Sequence, residues 1–388
     1  MITTNVTSME IRKLNQNQVY QAIYHHKQVS KQFLAMELHM SMPTITQHLL
    51  ELQEAGLIEK VGSFDSTGGR RAQILGISPL ARVSIGVEVL SDCAHILALD
   101  LYGTAIARSI FHEPYRNTPA YYAALGQWVA QFGTSLPVEE TRILGVGIAV
   151  QGLVSAEEQV VTFGHILDNL GVSVEDFSRH IPWPCYMQHD SECAAMAEVW
   201  FHPQVQDAIY IALNYHLGGA LVHHRQLHRS GSTASGVFEH MLLYPNGAPC
   251  YCGKRGCWEA YCSIGSLLGT ANLSLDAFFL KLRDGDPEIQ QLWDHFLYHC
   301  ALGIENIRMV YRSDVILGGQ LRPYLTDSDF ETLRQKLTAL NIFPRDSLTL
   351  IPGSCGDQAP AIGAALHYIT EFITHVGLEQ TSRQGGTP

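Results

Sequence analysis

Residues 240–259 read HMLLYPNGAPCYCGKRGCWE and contain a compact set of metal-binding side chains. The candidate ligands are His240, Cys250, Cys252 and Cys257. Three thiolates and one imidazole complete the tetrahedral coordination that Zn²⁺ adopts in structural sites. Gly253 and Gly256 allow the sharp turns that so short a loop needs. Because four protein ligands leave no position for an activated water, the pattern predicts a structural zinc site rather than a catalytic one.

The other cysteines bear on this assignment. The chain has nine cysteines, of which four crowd into residues 250–262 and five are scattered. An odd count with one tight cluster favours metal binding over disulfide bonds. Cys262 is an alternative fourth ligand in place of His240, although it follows an aromatic-rich segment with helical character. Buried free thiols without a metal are the remaining alternative.

Composition and charge set the class of protein. The chain has 388 residues, 46% of them hydrophobic and 16% charged, so two or three globular domains are expected. It has no apolar run of about 18 residues and no apolar N-terminal leader, which predicts a cytoplasmic protein without a membrane span. The net charge is −12, but residues 1–80 have seven basic and six acidic side chains. The N-terminal segment can therefore approach phosphate although the rest of the chain is acidic.

The N-terminal segment has the pattern of a winged helix. Residues 16–60 show the apolar spacing of three short helices, and Ser41 and Gly56 mark the start and the end of the third. A strand–turn–strand pattern follows at 57–77. Three helices and a hairpin predict a winged helix-turn-helix domain over residues 1–80. A helical bundle with a solvated hairpin is the alternative.

The third helix and the wing are the expected DNA contacts, because helix-turn-helix proteins place the start of their second motif helix in the major groove. The candidate residues are Pro43, Thr44, Thr46, Gln47 and His48 in the helix, and Arg70 and Arg71 in the wing. Threonine and glutamine bond base edges or phosphates. Gly68 and Gly69 permit a close approach of the wing, whose arginines reach phosphate or the minor groove.

From about residue 83 the chain alternates between strands and helices. Strand patterns at 84–89, 95–100 and 105–111 precede a helix at 117–134 and a buried strand at 143–150. This alternation continues toward the C-terminus and predicts an α/β body.

The order of the zinc ligands, His-x9-Cys-x-Cys-Gly-x-x-Gly-Cys-x-Glu, resembles the signature of the ROK family of repressors, open reading frames and kinases. With its winged-helix head the chain is similar to the repressor branch that responds to glucose and N-acetylglucosamine. The resemblance covers about residues 10–370 and implies an actin-like ATPase fold of two α/β lobes, with a sugar site in the cleft between them. We therefore expect a first lobe at 81–189, joined by a C-terminal helix at about 365–388, and a second lobe with the zinc loop at 190–364.

Several body segments carry the resemblance. The segment that contains His189 and Asp190 resembles the catalytic-aspartate segment of the kinases. Residues 214–222 resemble their second phosphate segment, 315–320 the adenosine segment, and 356–365 the closing helix of the second lobe. The resemblance implies that Asp190 accepts a sugar hydroxyl; a helix-capping aspartate is the alternative.

The first strand hairpin departs from the kinase pattern. The kinases have Asp-x-Gly-Gly-Thr there, whose small residues let backbone N–H groups cradle phosphate. Residues 88–92 of this chain read Glu-Val-Leu-Ser-Asp. A carboxylate and branched side chains thus stand where the phosphate would lie. Because phosphoryl transfer depends on positioning and charge neutralisation, we expect this change to remove it. Neither ATP binding nor enzymatic activity is expected.

The sugar contacts also depart from the family pattern Gly-Glu-x-Gly-His, which here reads Gly-Val-Phe-Glu-His at 236–240. Val237 cannot accept a hydrogen bond, and Glu239 appears two positions later. Glu259 matches a second family sugar contact, and Asn169 is a further candidate for the cleft. Because polar selectivity depends on matched hydroxyl contacts, we expect a changed effector or no sugar at all.

These features predict a DNA-binding transcriptional regulator that acts as a repressor of sugar uptake or metabolism genes. We expect a homodimer or homotetramer on pseudo-palindromic double-stranded operator DNA. The signal is expected to be a sugar or sugar-phosphate effector, or a transporter or enzyme partner. A ROK-type sugar kinase with an appended DNA-binding head is the alternative.

Overall fold

The N-terminal part of the chain forms three helices followed by two antiparallel strands, which are the predicted elements. The computed structural model describes residues 7–63, 73–229, 233, 236–343 and 348–376. The N-terminal elements are α1 (Ser8–His26), α2 (Lys31–Glu37), α3 (Met42–Glu54), β1 (Ile58–Ser63) and β2 (Gln73–Ile77).

Local sequence signals explain where these helices begin and end. The hydroxyl groups of Thr7, Ser30 and Ser41 cap α1, α2 and α3, and Ser41 Oγ accepts the backbone N–H of Thr44 at 3.3 Å. Gly56 follows α3 with φ +67°, a left-handed conformation that ends the helix. The apolar faces meet in a small core that contains Val19, Ile23, Leu34, Ile45 and Leu52.

The first of two five-stranded sheets lies between residues 83 and 189. The elements of this region are β3 (Val83–Val89), β4 (Ala94–Leu99), β5 (Ala105–Phe111), α4 (Pro119–Thr134), β6 (Ile143–Val150), β7 (Leu153–Val154), β8 (Val161–Phe163), α5 (Val174–Ser178) and β9 (Cys185–His189). The sheet order is β5-β4-β3-β6-β9, with β3 to β5 antiparallel and β3, β6 and β9 parallel. The short strands β7 and β8 pair with each other beside this sheet.

The second sheet repeats this arrangement. Its region contains α6 (Asp190–Phe201), β10 (Ala208–Ala212), β11 (Gly218–His223), β12 (Gln226–Leu227), α7 (Glu259–Cys262), α8 (Ile264–Ala271), α9 (Leu275–Arg283), α10 (Pro287–Arg308), β13 (Asp314–Gly318), α11 (Asp327–Leu340), β14 (Leu350–Pro352) and α12 (Ala359–His375). The order is β12-β11-β10-β13-β14, again a meander extended by two parallel strands. Two sheets with helices on their faces form a two-lobed α/β body.

The last helix, α12, packs directly on the first sheet and on α6. A Cβ atom at Gly147 of β6 would overlap the carbonyl oxygen of Ala364, and one at Gly363 would overlap the carbonyl oxygen of Cys193. Only glycine lets the backbones approach so closely. The helix therefore packs backbone to backbone on both the first sheet and α6.

This placement corrects two boundary predictions. The C-terminal helix begins at residue 359 and ends at residue 375, rather than spanning about 365–388, and residues 377–388 lie outside the described part of the chain. The segment 356–365 was expected to close the second lobe, but its helical part opens α12 against the first sheet. The reason is the row of small residues there, which permits backbone contact.

The first helix fastens the N-terminal unit to the body. Asn17 Nδ2 donates a hydrogen bond of 2.6 Å to the carbonyl oxygen of Thr374 in α12. The Tyr24 ring stacks on Tyr102 at 5.2 Å and meets the Trp200 ring of α6 edge-on at 6.5 Å. One buried apolar cluster therefore continues from α1 through α12 to α6.

Among the helices in the described ranges, none is long and apolar enough to cross a lipid bilayer.

Replacing Gly147 by alanine tests the contact between α12 and the first sheet. The added methyl group meets backbone rather than a movable side chain, so we expect the variant to lose about 1–3 kcal/mol of unfolding free energy. Chemical denaturation measures this loss. The control is Gly269→Ala in α8, where nothing lies within 4 Å of the new Cβ, so stability should hold or rise slightly. Equal stability of both variants would contradict the packing argument.

Candidate functional site

The predicted metal loop brings its four candidate ligands together. The metal-binding atoms of His240, Cys250, Cys252 and Cys257 all lie within 4.8 Å of one another. Gly256 has φ +85°, and a side chain there would overlap the carbonyl oxygen of Tyr244. Glycine at this position therefore lets the loop close on itself.

The spacing of these atoms fits a tetrahedral metal. Cys252 Sγ and Cys257 Sγ are 3.8 Å apart, and Cys250 Sγ is 3.6 Å from His240 Nδ1. Zinc–sulfur and zinc–nitrogen bonds of ordinary length give tetrahedral edges of about 3.8 Å and about 3.6 Å for these two kinds of pair. Burial also raises the pKa of the Cys250 thiol to about 12, so a cation is needed to hold it as a thiolate.

The alternative ligand Cys262 is not part of this cluster. Its side chain is fully buried in the apolar core of the second lobe, and its Sγ points to the carbonyl oxygen of Phe296 at 3.8 Å. His240 is therefore the fourth member of the group that the structure assembles.

Two buried carboxylates, Glu239 and Glu259, lie beside the metal loop. The backbone N–H of Glu259 donates to the carbonyl oxygen of Glu239 at 2.8 Å. The Glu259 carboxylate accepts hydrogen bonds from the backbone N–H of Leu217 at 2.6 Å and from His216 Nδ1 at 3.0 Å. Both glutamates are held by the same loop that carries the metal ligands.

Asn169 Oδ1, Glu239 Oε2 and His240 Nε2 are among the buried side-chain atoms of the described residues that have no hydrogen-bond partner. Burial raises the pKa of Glu239 to about 8, and the negative charges of Glu259 and Asp190 add to this effect. Unpaired buried polar atoms are costly, so such a group indicates a position for a ligand.

Asn169 joins this group through the loop after β8. Its backbone N–H donates to the carbonyl oxygen of Gly164 at 3.1 Å, and its Nδ2 donates to the carbonyl oxygen of Gln151 at 3.3 Å. The neighbouring Phe163 ring lies 6.3 Å from the His240 ring. Residues of the first lobe thus reach the metal loop of the second.

Asp190 and His189 lie at the junction between β9 and α6. Asp190 Oδ1 accepts from the backbone N–H of Ser191 at 2.6 Å, and His189 Nε2 lies 3.1 Å from the same oxygen. Asp190 faces the large cavity described next, whereas His189 lines a separate small pocket beside Val237. The structure therefore separates these two predicted contacts.

A cavity of about 680 Å³ lies between the lobes. Three acidic residues line it: Glu88 of β3, Asp190 of α6 and Asp357 before α12. Its described lining contains no lysine or arginine. Burial raises the pKa of Glu88 to about 7, and His95 Nδ1 lies 3.2 Å from its carboxylate. Phosphate groups would meet negative charge here rather than a cradle of donors.

Sequence reasoning identified Glu88 and Asp190, and Asn214, Gln320 and Asp357 lie in segments that the family resemblance picked out, but Gln151 and the meeting of these residues in one cavity were missed. No local pattern shows that they meet, because they come from distant loops at the ends of strands. Their position after β6, β10 and β13 and before α12 is the signal that could have found them, since ligands bind at the ends of parallel strands.

The predicted DNA-contact residues of α3 divide into two groups. Pro43 and Gln47 are exposed, and Thr44 and Thr46 are half-buried near the start of the helix. His48 is only 3% exposed and packs in the core of the N-terminal unit, so the prediction that it contacts bases is wrong. Arg70 and Arg71 lie outside the described residues.

Comparison with known proteins gives a consistent family. The model of the ROK family matches residues 84–371. The xylose repressor of Bacillus subtilis is 24% identical over 379 residues, which cover 94% of this chain and 97% of the repressor. The transcriptional dual regulator NagC of Escherichia coli is 26% identical over 253 residues, covering 64% of this chain and 62% of NagC.

Solved structures show the same fold. A ROK family transcriptional regulator, described as a homolog of the E. coli MLC protein, superposes with a TM-score of 0.78 at 20% identity, covering 95% of this chain and 98% of that one. A ROK family glucokinase from Streptomyces griseus superposes with a TM-score of 0.64 at 22% identity, covering 74% and 98%. The two-lobed body predicted from the sequence is confirmed.

Metal analysis of two variants tests the ligand set. We expect His240→Ala to weaken metal binding by at least about 100-fold, because loss of a ligand should cost no less than loss of a residue that supports one. Cys262→Ala should keep the metal, since its sulfur lies in the core. The readout is zinc retained after dialysis against a mild chelator. Equal zinc loss from both variants would contradict the assigned ligand set.

Proposed function

The chain belongs to the ROK family, and we propose that it is a DNA-binding transcriptional repressor of sugar uptake or metabolism genes. The observation that carries the proposal is the continuous apolar core that joins the N-terminal helices to α6, the helix that begins at the cleft. A ligand alters DNA binding only if it favours one pose of the DNA-binding units, and this core provides the connection. The relatives named as a xylose repressor and as a DNA-binding transcriptional dual regulator support the same conclusion.

We assign residues 1–80 to a winged helix-turn-helix domain with α3 as the recognition helix. Pro43, Thr44, Thr46 and Gln47 lie on its N-terminal half, where such helices meet base edges. Arg70 and Arg71 are assigned to the wing from the sequence alone. We assign residues 81–189 together with α12 to the first lobe. The second lobe is assigned to the residues from 190 to the start of α12.

We assign zinc to the cysteine loop as a structural ion, one per chain. The donor set of one imidazole and three thiolates and the tetrahedral spacing of its atoms support this. The ion would tie the loop between His240 and Cys257 into one rigid unit. That unit holds Glu239 and Glu259 at the cleft.

The unpaired atoms beside the metal loop favour an uncharged, hydroxyl-rich effector. Burial raises the pKa of Glu239, which favours a protonated carboxyl that can donate a hydrogen bond. His240 Nε2 carries the ring proton when Nδ1 faces the metal, and Asn169 Oδ1 accepts. Two donors and one acceptor match sugar hydroxyl groups, whereas a phosphate would face Asp190 and Glu259. A sugar therefore fits better than a sugar phosphate.

The route from effector to DNA runs along α6. Asp190 stands at its first turn beside the cleft, and Trp200 in its last turn contacts Tyr24 of α1. A small shift of α6 together with α12 and the first sheet on ligand binding would move α1 and the recognition helix with it. A homodimer or homotetramer would place two such heads on a pseudo-palindromic operator. A transporter or enzyme partner could act on the same route.

The alternative of a sugar kinase with an added head has less support. The family fold alone favours it, because ROK kinases share the body. Glu88, Asp190 and Asp357 give the cavity an acidic lining, which opposes binding of ATP phosphates. We therefore assign no enzymatic activity.

Operator binding tests the recognition helix. We expect Gln47→Ala to lose about 1–3 kcal/mol of binding free energy for the cognate operator, with little change for unrelated DNA, because base contacts carry specificity. Footprinting and fluorescence anisotropy on DNA from the region upstream of the gene measure this.

Gln53→Ala provides the matched control, because Gln53 lies in the last turn of α3. It should bind the operator like the unmodified protein. If Gln47→Ala binds the operator as tightly as Gln53→Ala does, α3 does not enter the major groove as assigned.

A thermal-shift screen against sugars, amino sugars and their 6-phosphates tests the effector class. We expect a shift with an unphosphorylated sugar, retained in Glu239→Gln and weakened about tenfold in affinity in Glu239→Ala, because glutamine keeps a donor. In the unmodified protein binding should weaken as pH rises through about 8, where Glu239 loses its proton beside Glu259 and Asp190. Glu239→Gln should not show this pH dependence.

Two results would overturn this assignment. No shift with any of these compounds would favour a protein partner as the signal. Sugar-dependent release of ADP from ATP would favour the kinase alternative.

A further inference from the structure

A second group of metal-binding side chains, separate from the cysteine loop, lies at the β11–β12 hairpin. Asp207 precedes β10, and His223 and His224 occupy the end of β11 and the turn. Their ligand atoms lie within 4.8 Å of one another, and His223 Nδ1 is 2.8 Å from Asp207 Oδ1. Both histidines are exposed to solvent.

We propose that Asp207, His223 and His224 form a second, exchangeable site for a divalent transition-metal ion such as Zn²⁺ or Ni²⁺. Imidazole and carboxylate are donors that these ions accept readily. Nitrogen and oxygen ligands about 2.1 Å from one ion stand about 3.0–3.4 Å apart, close to the observed His223–Asp207 separation. Three protein ligands leave further positions to water, so the ion exchanges more easily than one held by four.

The backbone already orders this site. The N–H of His224 donates to Asp207 Oδ1 at 2.8 Å, and this hydrogen bond lowers the pKa of the Asp207 carboxyl. Asp207 is therefore an anion at neutral pH. The Tyr311 hydroxyl lies 3.3 Å from His223 Nδ1 and donates to the carbonyl oxygen of Val222 at 2.8 Å, which holds the strand end in place.

The hairpin that carries the site also forms hydrogen bonds at the C-terminal end of α6. Arg225 follows His224 in the turn, and its guanidinium donates to the carbonyl oxygens of Val199, His202 and Val205 at 2.8–3.2 Å. A metal that joins Asp207 to the hairpin therefore stabilises the C-terminal end of the helix whose other end lies at the cleft. The inference needs no role for the cysteine loop and does not rest on the proposed function.

Nickel titration of the untagged full-length protein, with its cysteine site loaded with zinc, tests the proposal. Isothermal titration calorimetry should show one further equivalent of Ni²⁺ per chain, with no zinc released to a colorimetric chelator. Co²⁺ bound at the same site should give no thiolate-to-metal absorption band, because the site has no sulfur ligand. Metal binding should also raise the melting temperature.

Two asparagine variants make the test specific. His224 has φ +50°, and asparagine tolerates this left-handed conformation, so His224→Asn removes the ligand while preserving the turn. We expect at least about tenfold weaker Ni²⁺ binding in this variant. His39→Asn is the matched control, since His39 is also exposed with φ +52°, and it should bind Ni²⁺ like the unmodified protein. The proposal fails if the unmodified protein binds no further Ni²⁺, if binding requires zinc release, or if His224→Asn binds unchanged.

Discussion

At Gly147 and Gly363 the backbone of α12 approaches β6 and α6 so closely that no side chain fits between them. Carbonyl groups contact the neighbouring backbone directly. No side chains therefore lie between the elements to accommodate a shift of one against the other. The first sheet, α12 and α6 therefore behave as one block. Asn17 and Tyr24 of α1 dock on that block, so the pose of the DNA-binding unit is set by the same contact.

The same block connects the cleft to the N-terminal helices. α6 extends about 18 Å over its 12 residues, from Asp190 beside the cavity to the aromatic contact between Trp200 and Tyr24. Arg225 fixes the far end of the helix through three backbone carbonyl groups. Because α6 packs on α12 and the first sheet, it moves with them as one body, and a ligand with different affinity for two positions of that body relative to the rest of the second lobe can shift their populations.

Short stretches of sequence were enough to predict the bounds of α3 and the metal loop. Ser41 and Gly56 bracketed α3, and the metal loop was found because its ligands fall within one short segment. The burial of His48 was missed although it follows Ile45 by three residues and precedes Leu52 by four, which places it on the buried stripe of α3. The interlobe cavity could not be read from any window of sequence, because strand topology alone brings residues about 100 to 270 positions apart to one place.

The N-terminal unit and the body differ in net charge. Residues 1–80 are nearly neutral, while the rest of the chain carries the negative balance and lines its own cavity with Glu88, Asp190 and Asp357. An acidic body repels both the phosphates of a nucleotide and those of DNA, so we expect contact with an operator to be made by the N-terminal unit. Burial favours the protonated form of Glu239, and the negative charges of Glu259 and Asp190 add to this effect. Acidic residues thus act on two neighbouring sites, because they oppose phosphate in the cavity and help to keep a hydrogen-bond donor beside the metal loop.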